Sequence, residues 1–312
     1  MTRPLNCSDG SSLSAFAFGA MQFGGRADAR ASQEMFEQCR DAGINHFDTA
    51  YAYTDGQSER LLGQFVQSGR EQMLVATKVG YVGGAGAANI RAQFDVSRQR
   101  LQLDFVDILY LHRFDPDTDL AETMECFAAL KDAGATRHIG VSNFAAWQVM
   151  KAASIAETFG LTIDVLQPMY NLVKRQAEVE ILPMCADQGI AVAAYSPLGG
   201  GLLTGKYTHG DSGRLHDDPR YAARYGQTWM GDVAAGLCDL AAELNTDPAT
   251  LAVAWVAASS YCPTPIISAR STDQLQPSLR AMGTEIGPQL YARLSALSPT
   301  PPPATDRIEE QE

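Results

Sequence analysis

The sequence predicts a single α/β barrel of the (β/α)8, or TIM, type, and three observations carry that expectation. Strand-like and helix-like stretches alternate along the chain, the pattern of a parallel sheet with crossover helices. Eight strands can be counted. With 312 residues, 46% hydrophobic and 19% charged, the chain can bury one substantial core.

The strands are expected near residues 15–19, 44–48, 73–77, 106–111, 137–141, 163–167, 190–195 and 265–268. Ahead of the first, LNCSDGSSLSAFAF reads as a β-hairpin turning at Asp9 and Gly10. The segment SQEMFEQCRDAG spaces Met35, Phe36 and Cys39 on one helical face and ends at Gly43, a C-cap before the second strand. DLAETMECFAALKDAG repeats the device, with Met124, Phe127 and Leu130 facing inward and Gly134 closing it. After the seventh strand a long loop is expected from Pro197 to about Met230, and irregular loops of that length are usually functional or mobile. The last stretch, about 298–312, is proline-rich and then charged, so it reads as a flexible tail on one domain spanning 1–312.

Composition excludes several classes of function. A formal net charge of −12 argues against a nucleic-acid or anionic-membrane surface, because either needs clustered Lys and Arg. The six cysteines are scattered, with no CxxC pair and no Cys/His cluster at zinc spacing, which suits reduced thiols in a cytoplasmic protein. The start, MTRPLNCSDG, lacks the apolar core of a signal peptide, and no run approaches the roughly 18 apolar residues of a membrane span. Of the five histidines, His209 and His216 fall in the long loop without metal spacing, so no metal site is expected and a metal-dependent hydrolase is disfavoured. A monomer is the default, since no long apolar helix face is left over.

Four polar residues, Asp48, Tyr53, Lys78 and His112, sit at the ends of the strand-like segments FDTAYAY, MLVATK and VDILYLH. Active sites of such barrels form at the C-terminal strand ends, because the interior is packed solid. Taken singly, each has an ordinary structural reading: an Asp before Thr forms turns, a Lys after a strand is solvated, a lone His is a core residue. Together they suggest reduction of a carbonyl. A phenol with an unperturbed pKa of about 10 must release a proton near neutral pH while hydride arrives at the carbonyl carbon. A buried ammonium beside it favours the phenolate, a carboxylate keeps that ammonium charged, and an imidazole orients the substrate oxygen.

The segments GINHFDTAYAY (43–53), ATKVG (76–80), VDILYLHRFD (106–115), IGVSNF (139–144), LQPMYNL (166–172), AYSPLGGGLLTGKY (194–207) and IISARSTDQL (266–275) occur in this order, and with them the chain resembles the aldo-keto reductase family over nearly its whole length. The resemblance implies Tyr53 as general acid in reduction, Lys78 lowering its effective pKa, Asp48 supporting Lys78 and His112 orienting the carbonyl. It departs at Thr54, where the family commonly has glycine, with Ser58 and Glu59 in the loop beyond.

No GxGxxG follows the first strand, so a Rossmann domain is not expected, and any nicotinamide must bind in the barrel mouth. The resemblance places Ser142, Asn143 and Gln167 on the carboxamide, Tyr195 against the nicotinamide ring, and Met21, Ser196, Pro197, Leu198, Gly199, Gly201 and Lys206 elsewhere along the cofactor. GGLLTGKY nearly matches a P-loop, but the hydroxyl residue required after the Lys is Tyr207 here. Bare backbone amides near Ser196, Leu198 and Gly199 are instead expected to approach a pyrophosphate. Arg270 favours NADPH over NADH, since a guanidinium grips the extra phosphate, and Gln274, Ser268 and Ser278 lie with it. Ser268 stands where the family usually has Gly, Ser278 where it often has Asn, and Pro277 is unexpected inside a helix.

Phe23, Tyr51, Tyr81 and Phe114, just past strand ends, are candidates to line a pocket for a small carbonyl substrate, and Arg113 beside His112 offers a charge to a polar one. The function expected is NADPH-dependent reduction of an aldehyde or ketone. The second reading is a cofactor-binding regulatory or scaffold protein on the same barrel, as the family's potassium-channel beta subunits illustrate.

Overall fold

A computed structural model describes residues 5–209 and 213–305, without the side chains of Thr208, His209, Arg214 and His216. Residues 210–212 of the expected loop and 306–312 of the expected tail lie outside the described residues.

Eight parallel strands close in sequence order into a barrel: β1 (Ala17–Gly19), β2 (His46–Asp48), β3 (Leu74–Val79), β4 (Val106–Leu111), β5 (Thr136–Ser142), β6 (Val165–Gln167), β7 (Ala191–Tyr195) and β8 (Thr264–Ile267). The fold is therefore the (β/α)8 barrel expected. The longest run of register joins β3 to β4 and β4 to β5, with Lys78 opposite Tyr110 and Tyr110 opposite Gly140. Because side chains alternate across a strand, this register sets Lys78, Tyr110 and Gly140 on one face at one level.

Helices separate the strands: α1 (Ala29–Asp41), α2 (Gln57–Phe65), α3 (Ala87–Leu101), α4 (Leu120–Asp132), α5 (Ala146–Glu157) and α6 (Ile181–Gln188). Asp28 caps α1 by accepting from the Ala31 amide at 2.8 Å, and Asp119 caps α4 from Ala121 at 3.0 Å. Met35, Phe36 and Cys39, then Met124, Phe127 and Leu130, are buried as their spacing requires. Gly43 and Gly134, at φ +84° and +70°, turn the chain after each helix where a side chain would be strained. The N-terminal hairpin is one antiparallel bridge, Asn6 to Ser12, around Gly10.

The stretch after β7 is far less irregular than its composition suggests. It holds short 3-10 turns at Gly199–Thr204 and Lys206–His209, then α7 (Arg214–Asp217) and α8 (Pro219–Tyr225), before α9 (Thr228–Glu243) and α10 (Pro248–Ala257). Asp218 caps α8 and Pro219 begins it, a helix start that the short span hides from any periodicity. After β8 come α11 (Thr272–Arg280) and α12 (Pro288–Ser295). Pro277 does lie within α11, and its carbonyl accepts from Thr250 Oγ1 at 2.8 Å. Ser298, at the start of the expected tail, is buried and accepts from Arg175 Nη1 at 3.3 Å.

Packing divides the chain into two compact units: Met1–Pro168 with Cys185–Ala193 and Ser268–Leu275, and Met169–Met184 with Ala194–Ile267 and Gln276–Glu312. No described helix is long and apolar enough to cross a membrane, and among the described residues no three His, Cys, Asp or Glu side chains are grouped to hold a metal.

Candidate active site

The first unit carries the four residues singled out from the sequence. Asp48 ends β2, Lys78 lies in β3, His112 follows β4, and Tyr53 opens a tight turn, Tyr53–Gly56, five residues past Asp48. Lys78 Nζ is paired with Asp48 Oδ1 and also donates to the Thr49 carbonyl at 2.7 Å. The other carboxylate oxygen of Asp48 accepts from Gln167 Nε2 at 2.9 Å. The Lys78 ammonium stands 5.0 Å from the centre of the Tyr53 ring, and that ring meets His112 edge-on, 5.8 Å between centroids and 84° between planes. Four residues separated by up to 64 positions thus converge on one point.

Burial sets the charges. Lys78 is 1% exposed, and loss of solvent pushes its pKa down, while Asp48 opposes the shift through its charge and its hydrogen bond. His112 is pushed down to about 3, first by burial and then by the charges of Lys78 and Arg113, so at neutral pH it is an uncharged imidazole. Its Nδ1 is buried without a partner. Tyr110 is the second phenol ring near Lys78, at 5.9 Å, but it is fully buried, and desolvation followed by the Asp48 charge drives its pKa well up. Tyr53 is only half-buried, so of these two phenols it is the one open to a ligand.

The turn that carries Tyr53 is strained and tied down. Thr54 and Asp55 sit at φ +46° and +51°, a region that non-glycine residues avoid. Where glycine would relieve the strain, Thr54 instead supplies hydrogen bonds. Its hydroxyl donates to the Phe23 carbonyl and accepts from the Ser58 amide, both at 2.9 Å, closing the first turn of α2. The departure at Thr54 therefore has a local physical reason.

The residues expected at a nicotinamide form a chain of bonds in the same unit. Ser142 Oγ donates to the Gln167 carbonyl at 2.9 Å, and Asn143 Nδ2 donates to the His112 carbonyl at 2.9 Å from a left-handed backbone at φ +58°. The Gln167 side chain is the one bonded to Asp48. Ser268 Oγ is buried without a partner, and Arg270, half-buried, has a bond to Gln274 Oε1 at 3.4 Å. Met21 is half-buried in the turn Ala20–Gln22.

In the second unit, Tyr195 ends β7 and pairs with Met169, and Ser196, at φ +58°, has its carbonyl held by Asn171 Nδ2 at 2.8 Å. Pro197 and Gly199 are buried, while Leu198, Gly201 and Lys206 are half-buried. Two glycine amides in the stretch expected near a pyrophosphate have partners within the turn. Gly199 N–H donates to Ser196 and Gly201 N–H to Leu198, each at 2.9 Å, so both are spent on the turn itself. Ser278 is buried with an unpartnered Oγ.

The pocket candidates separate. Phe23 is fully buried between Phe18 and Phe65, at 5.4 and 5.9 Å, and so belongs to the aromatic core rather than to a pocket wall. Tyr51 lies under the Arg100 guanidinium at 4.6 Å. Tyr81 is 45% exposed and packs against His112 at 4.9 Å, with Arg113 over its ring at 5.0 Å. Phe114 meets Phe144 and the exposed Trp147. Trp147, Tyr110 and Gly140 were not singled out in the sequence. Tyr110 lies two residues before His112 and so shares its face, and Gly140 interrupts an otherwise regular strand, which are the signals that mark them.

A buried lysine–aspartate pair, a half-buried phenol and an uncharged imidazole thus lie together at the strand ends of a (β/α)8 barrel. The family model "Aldo/keto reductase family" matches residues 15–299, and the chain belongs to that family. Among its relatives, a probable voltage-gated potassium channel subunit beta of Arabidopsis thaliana is 31% identical over 88% of each chain. The uncharacterized oxidoreductase YrpG of Bacillus subtilis is 32% identical over 93% of each. Aflatoxin B1 aldehyde reductase member 2 of Rattus norvegicus is 36% identical over 68% of this chain and 58% of its own. The chain is an oxidoreductase of this family.

Proposed function

We propose that the chain reduces an aldehyde or ketone to the alcohol at the expense of NADPH, with Tyr53 as proton donor. The observation that carries this reading is the buried Lys78–Asp48 pair facing the half-open Tyr53 ring at 5.0 Å, with His112 across it. Tyr53 gives its proton to the carbonyl oxygen, and in the reverse oxidation takes it back. The Lys78 ammonium stabilises the phenolate left behind, and Asp48 keeps Lys78 charged against the desolvation that opposes it. His112, neutral, donates an N–H that orients the carbonyl oxygen.

A bound nicotinamide supplies hydride to the carbonyl carbon. Ser142, Asn143 and Gln167 would hold its carboxamide, Tyr195 its ring, and Met21, Ser196, Pro197, Leu198 and Lys206 its linking groups. Arg270, Ser268, Gln274 and Ser278 would take the adenosine end. The fit rests on the unpartnered Oγ of Ser268 and on the Arg270 guanidinium of the same unit, which has no carboxylate paired to it among the described residues. Tyr81 and Phe114, with Trp147 beyond, offer an aromatic wall to the substrate. We place the protein in the cytoplasm as a monomer of one barrel domain.

Relatives named as potassium channel beta subunits, at 31% and 30% identity over 88% and 94% of this chain, favour a second reading, a cofactor-binding regulatory protein with little turnover. Purified protein mixed with a reactive aromatic aldehyde separates the two by oxidation of NADPH, with NADH run in parallel. The reductase reading expects aldehyde-dependent oxidation, and Arg270→Ala is expected to weaken NADPH binding about tenfold while leaving NADH nearly unchanged. Tight NADPH binding without turnover across varied carbonyls supports the regulatory reading. Binding of neither cofactor overturns the site.

A further inference from the structure

Arg100 and Glu59 form an ion pair that none of the residues above explains. Glu59, the third residue of α2, is fully buried, and Arg100 near the end of α3 is 15% exposed at its side chain. Arg100 Nη1 donates to Glu59 Oε2 at 3.1 Å and to the Tyr51 carbonyl at 2.9 Å, and its guanidinium covers the Tyr51 ring at 4.6 Å. Glu59 Oε1 accepts from Thr77 Oγ1 at 2.7 Å, one residue before Lys78. Gly56 lies directly on the guanidinium, since a Cβ there would come within 2.4 Å of Arg100 Nε. Beside the pair, Ser58 Oγ is 2.7 Å from Thr49 Oγ1 and donates to the Ala20 carbonyl at 2.7 Å, while the Thr49 carbonyl receives the Lys78 ammonium.

These contacts bracket one short segment. Arg100 grips it at Tyr51, two residues before Tyr53, and lies against it at Gly56, three residues after. Glu59 fastens the same guanidinium to the strand that bears Lys78. The segment between carries two non-glycine residues in left-handed conformations, which persist only where surrounding contacts hold them. Burying an ion pair is a poor route to stability, because desolvation offsets most of the attraction, so its use here calls for another role.

We propose that Arg100, anchored by Glu59, is a positioning residue that fixes the Tyr53 phenol in register with Lys78 and the carbonyl, and that its loss uncouples the proton donor from the ammonium. The inference rests on the reading of Tyr53 as general acid. A displacement on the order of 1 Å at a reacting group costs about 100-fold in rate, and that is the scale of loss to look for.

The test uses the full chain with Arg100→Met and Arg100→Lys, and with the double variant Arg100→Met/Glu59→Gln. In the double variant no charge is left unpaired in the buried site, and the amide oxygen introduced at position 59 can still accept from Thr77. Tyr53→Phe is the control. The expected result for the single and double Met variants is a kcat for aldehyde reduction lowered about 100-fold. The KM for aldehyde and the Kd for NADPH should stay within about twofold, since neither ligand is touched. The pH profile of kcat should also move, and Arg100→Lys should recover part of the rate through its own donor to Tyr51. Wild-type kcat and pH profile in a folded double variant overturn the proposal, and so does a double variant that fails to fold, because the pair is then structural. If Tyr53→Phe itself keeps full turnover, the underlying site reading fails instead.

Discussion

Lys78 is held at 1% exposure, where burial lowers its pKa and the Asp48 carboxylate opposes that shift, while a backbone carbonyl and two aromatic rings also surround its Nζ. Among the described residues two histidines are also buried. His46, beneath the site in β2, has both ring nitrogens unpartnered and is pushed down to about 4 by burial, and His112 is pushed to about 3. Both remain neutral in the native state at pH values where the unfolded chain protonates. Their contribution to stability is therefore fully present above the unfolded pKa of about 6.5 and is lost as pH falls below it toward 4. Each pH unit in that window costs about 1.4 kcal/mol per histidine. Urea unfolding is expected to show stability dropping between about pH 7 and pH 5, with a shallower drop in His46→Leu. Equal slopes for the two proteins would remove His46 from the account. Its period-two spacing with Asp48 puts His46 on the same face in the sequence, but nothing in the sequence shows that its nitrogens lack partners. That depends on which groups the folded barrel brings to it.

The pairing of β4 with β5 decides where the polar layer sits. Tyr110 occupies the space a side chain at Gly140 would need, since a Cβ there would fall 2.4 Å from the tyrosine ring. Gly140→Ala is expected to destabilise the barrel by about 1–3 kcal/mol through overpacking, read by denaturant unfolding. A change below about 0.5 kcal/mol would mean that Tyr110 can move aside. Most elements were legible in the sequence because their apolar residues keep a single period. The expected fourth strand, 106–111, coincides with β4, and the buried faces of α1 and α4 are the ones predicted. The segment after β7 was not legible as helix, because α7 and α8 span four and seven residues, too few for a helical period to emerge. Phe23 misled for a related reason: its place just past a strand end suggests a pocket, whereas it closes a cluster with Phe18 and Phe65 that only the packed fold reveals.

At the scale of the molecule, a barrel gathers at one end residues that the chain keeps far apart, and the family match across 15–299 spans all eight strands. The sequence pattern points to the four residues and their order, but not to the burial that lowers the pKa of Lys78 and His112. Nor does it reveal the Arg100–Glu59 pair, whose members are 41 positions apart and look like ordinary surface charges. With a net charge of −12, the anionic cofactor of the proposed reaction would depend on local cations, for which Arg270 and Lys206 are the candidates. The central claim is that Tyr53 is the proton donor of a carbonyl reduction. It is tested most directly by comparing wild type with Tyr53→Phe in two readouts, aldehyde-dependent NADPH oxidation and NADPH binding followed by fluorescence. The account predicts kcat reduced at least about 100-fold with NADPH affinity within about twofold of wild type. Turnover in Tyr53→Phe close to that of wild type would contradict it.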